Sequence, residues 1–350
     1  MPDLVVAGAG MAGLCAAARA RELGAEVLLL EKGGRVGGSM LLSSGFVWRH
    51  ERWDDFRADC PDGDPDLQRL VFDRLDEGIA WLESLGARGL TRETGNPVTR
   101  GAGFDPAQLT ETLASAAGDV RLREPLTQLP GDVPVVLATG GFQGDRDLLR
   151  EHVTPEADHL LLRANPWSEG DGLRLGLAGG AATSAGMGEF YGRNMPAPPA
   201  VVEEGDFVRL SQLYARHALV SSAGETFATR TWSEVDVAQW TARRPGARAW
   251  YRVPADSLTA RVRDLTVGEM VEAAEAAGAP VERDGTAVTV EVRAAITTTV
   301  GGLAVDATAR AADGVFAAGA DAGGVMTGGY SSGLAAALVL GRVAAESALA

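Results

Sequence analysis

The sequence predicts an α/β fold in two domains: a first domain with a parallel sheet, discontinuous along the chain, and an α+β domain inserted into it. Three observations carry that prediction. A β-α-β pattern rich in glycine opens the chain, and a strand, a Gly-rich turn and an apolar helix close it. Between about Ala181 and about Arg293 prolines and aromatics cluster, and strand and helix segments mix without a β-α-β rhythm. The expected boundaries are therefore 1–180 plus 294–350 for the first domain and 181–293 for the insertion.

The opening stretch organises the rest. Leu4-Val5-Val6-Ala7 is a short apolar run of the kind a buried parallel strand shows, and Gly8, Gly10 and Gly13 follow it in GxGxxG spacing. Met11 to Leu23 is Ala-rich and predicts a helix that Gly24 stops, and Glu26 to Glu31 predicts a second buried strand ending in a carboxylate. Gly8 permits the tight turn, Gly10 lets backbone N–H groups approach a pyrophosphate, and Gly13 lets the helix sit close to the strand. Glu31 stands where an acid accepts hydrogen bonds from an adenosine ribose. The spacing in this context predicts a Rossmann-like domain with a bound dinucleotide.

A second glycine-dense loop, Lys32 to Ser39, replaces the helix that would normally follow the second strand. With Gly38-Ser39 and Ser44-Gly45 it predicts backbone passing close to an extended ligand. Residues 50 to 64 are charged and turn-rich. Asp66 to Leu85 reads as an amphipathic helix, with Leu67, Leu70, Val71, Leu75, Ile79 and Leu82 at helical spacing and Trp81 in the core. Asp105 caps a helix from Pro106 to Ala117 that Gly118 stops, and a short strand follows at Val120 to Arg123. Val133 to Ala138 is a strand ending in Thr139-Gly140-Gly141, small residues across which a ligand can lie. Ser168 is expected to cap a helix from Glu169 to Ala178. In the insertion, Thr266 and Glu269 spell a capping box for a helix from Val267 to Ala277. Gly314 to Asp321 is a strand ending in an acid, followed by a Gly-rich turn and the apolar helix Ser332 to Ala350, whose Arg342 and Glu346 argue for burial in protein rather than a membrane span.

Composition narrows the partners. With Lys+Arg 32 against Asp+Glu 47 the net charge is −15, which argues against nucleic acid and anionic membranes and favours small molecules. Only Cys15 and Cys60 are present, one in the first helix and one in a polar loop, so no disulfide framework is expected and a reducing, cytoplasmic compartment is. The fingerprint begins directly after Met1-Pro2-Asp3, and no signal peptide is expected. No metal site is predicted.

Together GAGMAG, EKGGRVGGSM, SSGFVW, VVLATGGF, GDGLRLGLAGGA, GLAVD and GVFAAGADAGG resemble the FAD-dependent succinate dehydrogenase and fumarate reductase flavoprotein family, in its soluble branch with 3-ketosteroid and tricarballylate dehydrogenases. The resemblance implies an FAD-binding domain and an inserted capping domain. Gly8, Gly10 and Gly13 would hold the pyrophosphate, Glu31 the ribose, and Lys32, Gly38 and Ser39 the phosphates and the approach to the flavin. Ser44, Gly45, Thr139 and Gly140 would line the cofactor, and Asp321 would bond the ribityl chain. Gly333 and Leu334 would face the flavin pyrimidine end. Met40 stands near the position of the His that covalent relatives use, which implies non-covalent FAD.

Two departures from the family matter. The strand hairpin before VVLATGG is nearly absent, and the dicarboxylate machinery is missing. GMGEFYGRNMP lacks the His of the HPT segment, Thr298 or Thr299 stands for the His of HTMGG, Glu234 for the proton-donating Arg, and Tyr330 for the Arg that clamps substrate carboxylate. A dianion would be left unpaired, so succinate and fumarate are not expected substrates. GVMTGGYSSG instead resembles the ketosteroid dehydrogenase loop in which a Tyr binds a ketone oxygen. Tyr330 is thus the first candidate catalytic residue, with Tyr191, Arg193 and His217 of the insertion, and Tyr214 beside them, as candidates for the base. The expected activity is α,β-desaturation next to a carbonyl, or the reverse enone reduction, on a small, weakly charged, cyclic ketone-like molecule. With no second GxGxxG for a nicotinamide, the external electron acceptor would be a quinone, oxygen or a partner flavoprotein. An oxidase using oxygen, or a flavin-binding scaffold that has lost catalysis, are the alternatives.

Overall fold

In the computed structural model, which describes residues 1–350, the apolar run Leu4–Ala7 (β1) is a strand buried along its length. Val27–Glu31 (β2) lies parallel on one side of it and Val135–Leu137 (β7) on the other. Val120–Leu122 (β6) extends the sheet beyond β2. Val315–Ala317 (β18) and the antiparallel Arg310–Ala312 (β17) extend it beyond β7, giving the order β17-β18-β7-β1-β2-β6. The helices Met11–Glu22 (α1) and Gly333–Ala348 (α9) pack with this sheet and on each other, and Pro106–Ala117 (α4) packs on α1. Every residue of α9 from Ala335 to Ala345 is buried. Burial of such an Ala- and Leu-rich helix removes it from water on all sides, the opposite of a surface amphipath.

The same unit carries a small antiparallel sheet of Phe46–His50 (β3), Gly89–Thr91 (β4) and Thr99–Phe104 (β5), in the order β3-β5-β4. Trp53–Asp59 (α2) and Pro65–Ser84 (α3) pack against it. The Asp64 carboxylate caps α3 by accepting from the Asp66 and Leu67 N–H groups. A short helix, Asp171–Ala178 (α6), completes the unit.

The second unit is built on Ala287–Thr299 (β16). Phe190–Pro196 (β9), Arg248–Pro254 (β12) and Val281–Arg283 (β15) pair with it, and Leu219–Ser222 (β10) and Glu225–Phe227 (β11) continue beyond β12. Leu161–Leu162 (β8) joins the same sheet parallel to β16, while Arg261–Val262 (β13) and Leu265–Thr266 (β14) form a separate hairpin. Arg146–His152 (α5), Val235–Ala242 (α7) and Val267–Ala276 (α8) are its helices. Its core gathers Tyr214, Val220, Tyr251, Val271 and Val290, and Thr266 and Glu269 close the expected capping box.

The first unit comprises 1–145, 165–189 and 298–350, the second 146–164 and 190–297. The second thus starts at 190 rather than 181 and also takes 146–164. That segment belongs with it because β8 enters its sheet and the Thr154 hydroxyl donates to the Ala242 carbonyl at 2.9 Å.

Three local expectations are corrected. Ser168 does not cap α6: Gly170, at φ 82°, is the residue before the helix, and the buried Ser168 hydroxyl instead accepts from Asn165 Nδ2 at 3.1 Å. The charged stretch 50–64 contains α2, whose one buried residue is Phe56. Cys60 is fully buried rather than in a polar loop.

Candidate functional site

The turn between β1 and α1 shows why each glycine is there. A Cβ on Gly8, at φ 102°, would sit 2.2 Å from the Ala138 carbonyl oxygen, and one on Gly13 would sit 1.8 Å from the Gly8 oxygen. Gly10 differs, since the nearest atom to its Cβ would be the Gly38 Cα at 3.9 Å. Gly8 and Gly13 are demanded by packing, whereas Gly10 faces free space. Gly10 also offers α1 no side-chain cap, so the first-turn N–H groups have no side-chain acceptor there.

The second Gly-rich loop is tied to the first. Glu31 accepts from the Ala9 N–H at 2.7 Å and the Gly33 N–H at 2.6 Å, and the Gly37 N–H donates to the Ala9 carbonyl at 2.8 Å. Lys32 pairs with Glu169 at 2.5 Å and Asp171 at 2.8 Å. Burial works to lower the ammonium, and the two carboxylates outweigh it, so Lys32 is held above its ordinary value. The Ser39 hydroxyl accepts from Asn165 Nδ2 at 2.9 Å; Ser44 is exposed, and Gly45 accepts from the Phe104 N–H through its carbonyl. Asn165 was missed by sequence reasoning because it lies in no periodic pattern or motif.

Asp321 is buried at 1% exposure and holds the turn after β7. It accepts from the Thr139 N–H at 2.5 Å, the Thr139 hydroxyl at 3.1 Å and the Gly141 N–H at 3.0 Å. Burial raises its carboxyl, and the Thr139 and Gly141 donors oppose that. The ends of β7 and β18 are therefore clamped together, with Gly140 at φ 99° between the two donors. At α9 the Ser332 hydroxyl accepts from Ala335 N–H at 3.2 Å, and nothing lies within 4 Å of where a Cβ on Gly333 would stand. Gly333 thus opens the helix on free space.

Tyr330 precedes that helix. Its ring meets Trp48 edge-on, with centroids 5.8 Å apart and planes at 66°, and its N–H donates to the Cys60 sulfur. Burial pushes the Cys60 thiol well above its ordinary range, with Asp59 and Glu189 adding to the shift. Gly329, next to Tyr330, lies so close to Asp59 that a Cβ would be 1.6 Å from the Asp59 carbonyl oxygen.

In the second unit Tyr191 and Arg193 sit on β9, with the guanidinium 5.1 Å from the Tyr191 ring centroid. Arg193 is buried at 5% exposure, and its Nη1 has no hydrogen-bond partner in the protein. His217 is half-buried at the end of the turn Ala215–His217. That turn is anchored by Glu234, which accepts from the Ala215 N–H at 3.1 Å and the Arg216 N–H at 3.4 Å. Glu234 is itself buried, at φ 55°, and burial raises its carboxyl while Arg193 and Arg216 counteract. Tyr214 is a core residue: it is fully buried, its hydroxyl donates to Gln212 Oε1, and its ring stands edge-on to Tyr251.

A family model described as FAD binding domain matches residues 3–129 and 132–334. Among curated relatives, vinyl phenol reductase of Lactiplantibacillus plantarum is 28% identical over 248 residues, covering 56% of this chain and 49% of that protein. A probable fumarate reductase of Shewanella frigidimarina is 26% identical over 231 residues, covering 51% of this chain and 39% of that protein. The chain thus spans about half, or less, of these relatives' length. Among solved structures, 3-ketosteroid-Δ4-(5α)-dehydrogenase of Rhodococcus jostii, in complex with 4-androstene-3,17-dione, matches with TM-score 0.76 at 19% identity, covering 100% of this chain and 97% of that one. The open form of a flavocytochrome c3 fumarate reductase matches with TM-score 0.71 at 22% identity, covering 99% and 78%. These last two establish likeness of fold. The residues present fit FAD: open space over Gly10 and Gly333, two helix starts and a buried acid at the intervening strand ends suit an extended, anionic dinucleotide. No helix is long and apolar enough to cross a membrane.

Proposed function

The chain belongs to the FAD binding domain family, with FAD as its cofactor, and from that premise we propose that it is an oxidoreductase of C–C bonds next to a carbonyl. It desaturates a weakly charged, cyclic ketone-like molecule or reduces the corresponding enone. FAD supplies the two-electron chemistry, accepting or returning hydrogen at the carbon β to the carbonyl. Gly8, Gly10, Gly13, Glu31, Lys32, Gly38, Ser39, Ser44, Gly45, Thr139, Gly140, Asp321, Gly333 and Leu334 would hold it. The external electron partner would be a quinone, oxygen or a partner flavoprotein.

The observation that carries the reading is Tyr330 seated on Trp48 at the entrance to α9. A phenol there donates a hydrogen bond to a ketone oxygen, and the helix start favours the negative charge that develops as the α-proton leaves. A dicarboxylate would require cations that this loop does not carry. Arg193, Tyr191 and His217 remain further candidates on the strength of the family resemblance of their segments. The names of relatives and neighbours, reductases and a ketosteroid dehydrogenase, support the coarser part of this reading, hydrogen transfer at a C=C bond. Substitution of Tyr330 by Phe tests the reading. It should lower kcat/KM by about 100-fold, the cost of one oxyanion donor, with FAD retained. Unchanged turnover would refute Tyr330 as the donor.

A further inference from the structure

Desaturation beside a carbonyl needs a base for the α-proton, and the first unit contains one that the motifs did not single out. His50, on β3 two residues from Trp48, is buried at 1% exposure. Its Nε2 lies 2.9 Å from Asp59 Oδ2. A carboxylate only accepts, so Nε2 carries the proton and the lone pair is left on Nδ1. Nδ1 is buried and has no hydrogen-bond partner in the protein. An imidazole whose tautomer is fixed from one side, with its other nitrogen unengaged, is the arrangement of a general base.

Its surroundings tie it to Tyr330. The His50 ring is stacked on Phe56 at 5.1 Å and stands edge-on to Trp48 at 5.6 Å, and Trp48 stands edge-on to Tyr330 at 5.8 Å. Asp59 is the same residue whose carbonyl abuts Gly329, and Cys60 receives the Tyr330 N–H. Asp59 has a side chain 59% exposed, so the pair reaches from bulk water to the ring cluster. The other charge on this strand is turned elsewhere: Arg49 donates to the His50 carbonyl at 2.9 Å and pairs with Asp76 on α3.

We propose that His50 is the acid–base group of the Tyr330 site, with Asp59 as the positioning residue that fixes its tautomer. This rests on the reaction class proposed above. In desaturation the α C–H bond breaks and its proton passes to Nδ1, giving an imidazolium paired with Asp59. With FAD bound, the β hydrogen would leave with its electron pair to the cofactor as the C=C bond forms, and the imidazolium would pass a proton out through Asp59, whose side chain is 59% exposed, to water. Enone reduction runs the same transfers backwards.

The test compares wild-type holoenzyme with His50→Gln and Asp59→Asn across a panel of saturated cyclic ketones and their enones. Gln keeps a donor toward Asp59 but has no basic nitrogen. Asn can donate to Nε2 and so reverses the tautomer, and at an exposed position it serves even if His50→Gln fails to fold. Each variant should bind FAD as wild type does and lose at least about 100-fold in kcat. The low-pH limb of the kcat profile should vanish in His50→Gln, and added imidazole should restore part of the activity of His50→Ala, neither of which a packing role predicts. Variants that turn over like wild type would overturn His50 and leave the reaction class intact. A wild type inert toward the whole panel would overturn the reaction class, and the base with it.

Discussion

Trp48 and Tyr330, from opposite ends of the chain, meet edge to face with ring centroids 5.8 Å apart. An aromatic pair of this kind contributes about 0.5–1.5 kcal/mol. Trp48→Leu should therefore weaken binding of a ketone ligand by roughly threefold to tenfold, through a mobile phenol, while the flavin spectrum is unchanged. Titration of the bound flavin's absorbance with ligand measures it, and an unaltered Kd would mean that Trp48 does not set the Tyr330 position.

The glycines of the first turn should separate folding from cofactor binding. Gly8→Ala places a methyl against the Ala138 carbonyl at φ 102° and should destabilise the protein by about 3 kcal/mol. Gly10→Ala meets no atom closer than 3.9 Å, so Tm should hold in the apoprotein while FAD affinity falls by tenfold or more. Equal losses of stability in both variants would contradict the distinction.

Much of this region was legible beforehand, and the reason is local. In β1-α1-β2, in the Pro106–Ala117 helix and in the Thr266–Glu269 capping box, the signal lies within a few neighbouring residues whose backbone requirements are sharp. Asn165 on Ser39, Asp59 on His50 and Cys60 under Tyr330 were not legible, because each contact depends on tertiary approach rather than on spacing. Helix α2 was hidden by its composition, a single buried Phe56 among charges giving no periodicity.

Glu346 joins three helices, accepting from Arg19 Nε at 2.9 Å and Arg74 Nη1 at 2.8 Å. Burial works to raise its carboxyl, and Arg74 and Arg19 outweigh it, so the group is held below 4.5 in the folded state. A depressed carboxyl contributes stability fully above its unfolded value and loses it as pH falls through the folded value. Glu346→Gln should thus cost about 1 kcal/mol at pH 7 after allowance for its partial exposure, and the difference from wild type should shrink as the pH drops below 4.5. A pH-independent difference in denaturation midpoint would contradict the ion-pair origin.

Arg193 is buried with Nη1 unsatisfied, a cost the fold carries without return unless a ligand meets it. Arg193→Met should change stability by no more than about 1 kcal/mol, since it removes both the charge and the orphaned donor. Glu234, which burial raises and the guanidinium partly offsets, should then be pushed further up. Ligand affinity should fall by roughly tenfold or more, as for loss of a charged hydrogen bond. Stability lost without any change in ligand binding would make Arg193 a structural residue.

The most direct measurement is anaerobic mixing of the purified holoenzyme with saturated cyclic ketones, following the oxidised flavin band. Bleaching by members of this class, or reoxidation of the reduced protein by the matching enones, is the expected result. A flavin that stays unchanged with every such ketone and enone, in both directions, would contradict an oxidoreductase acting beside a carbonyl.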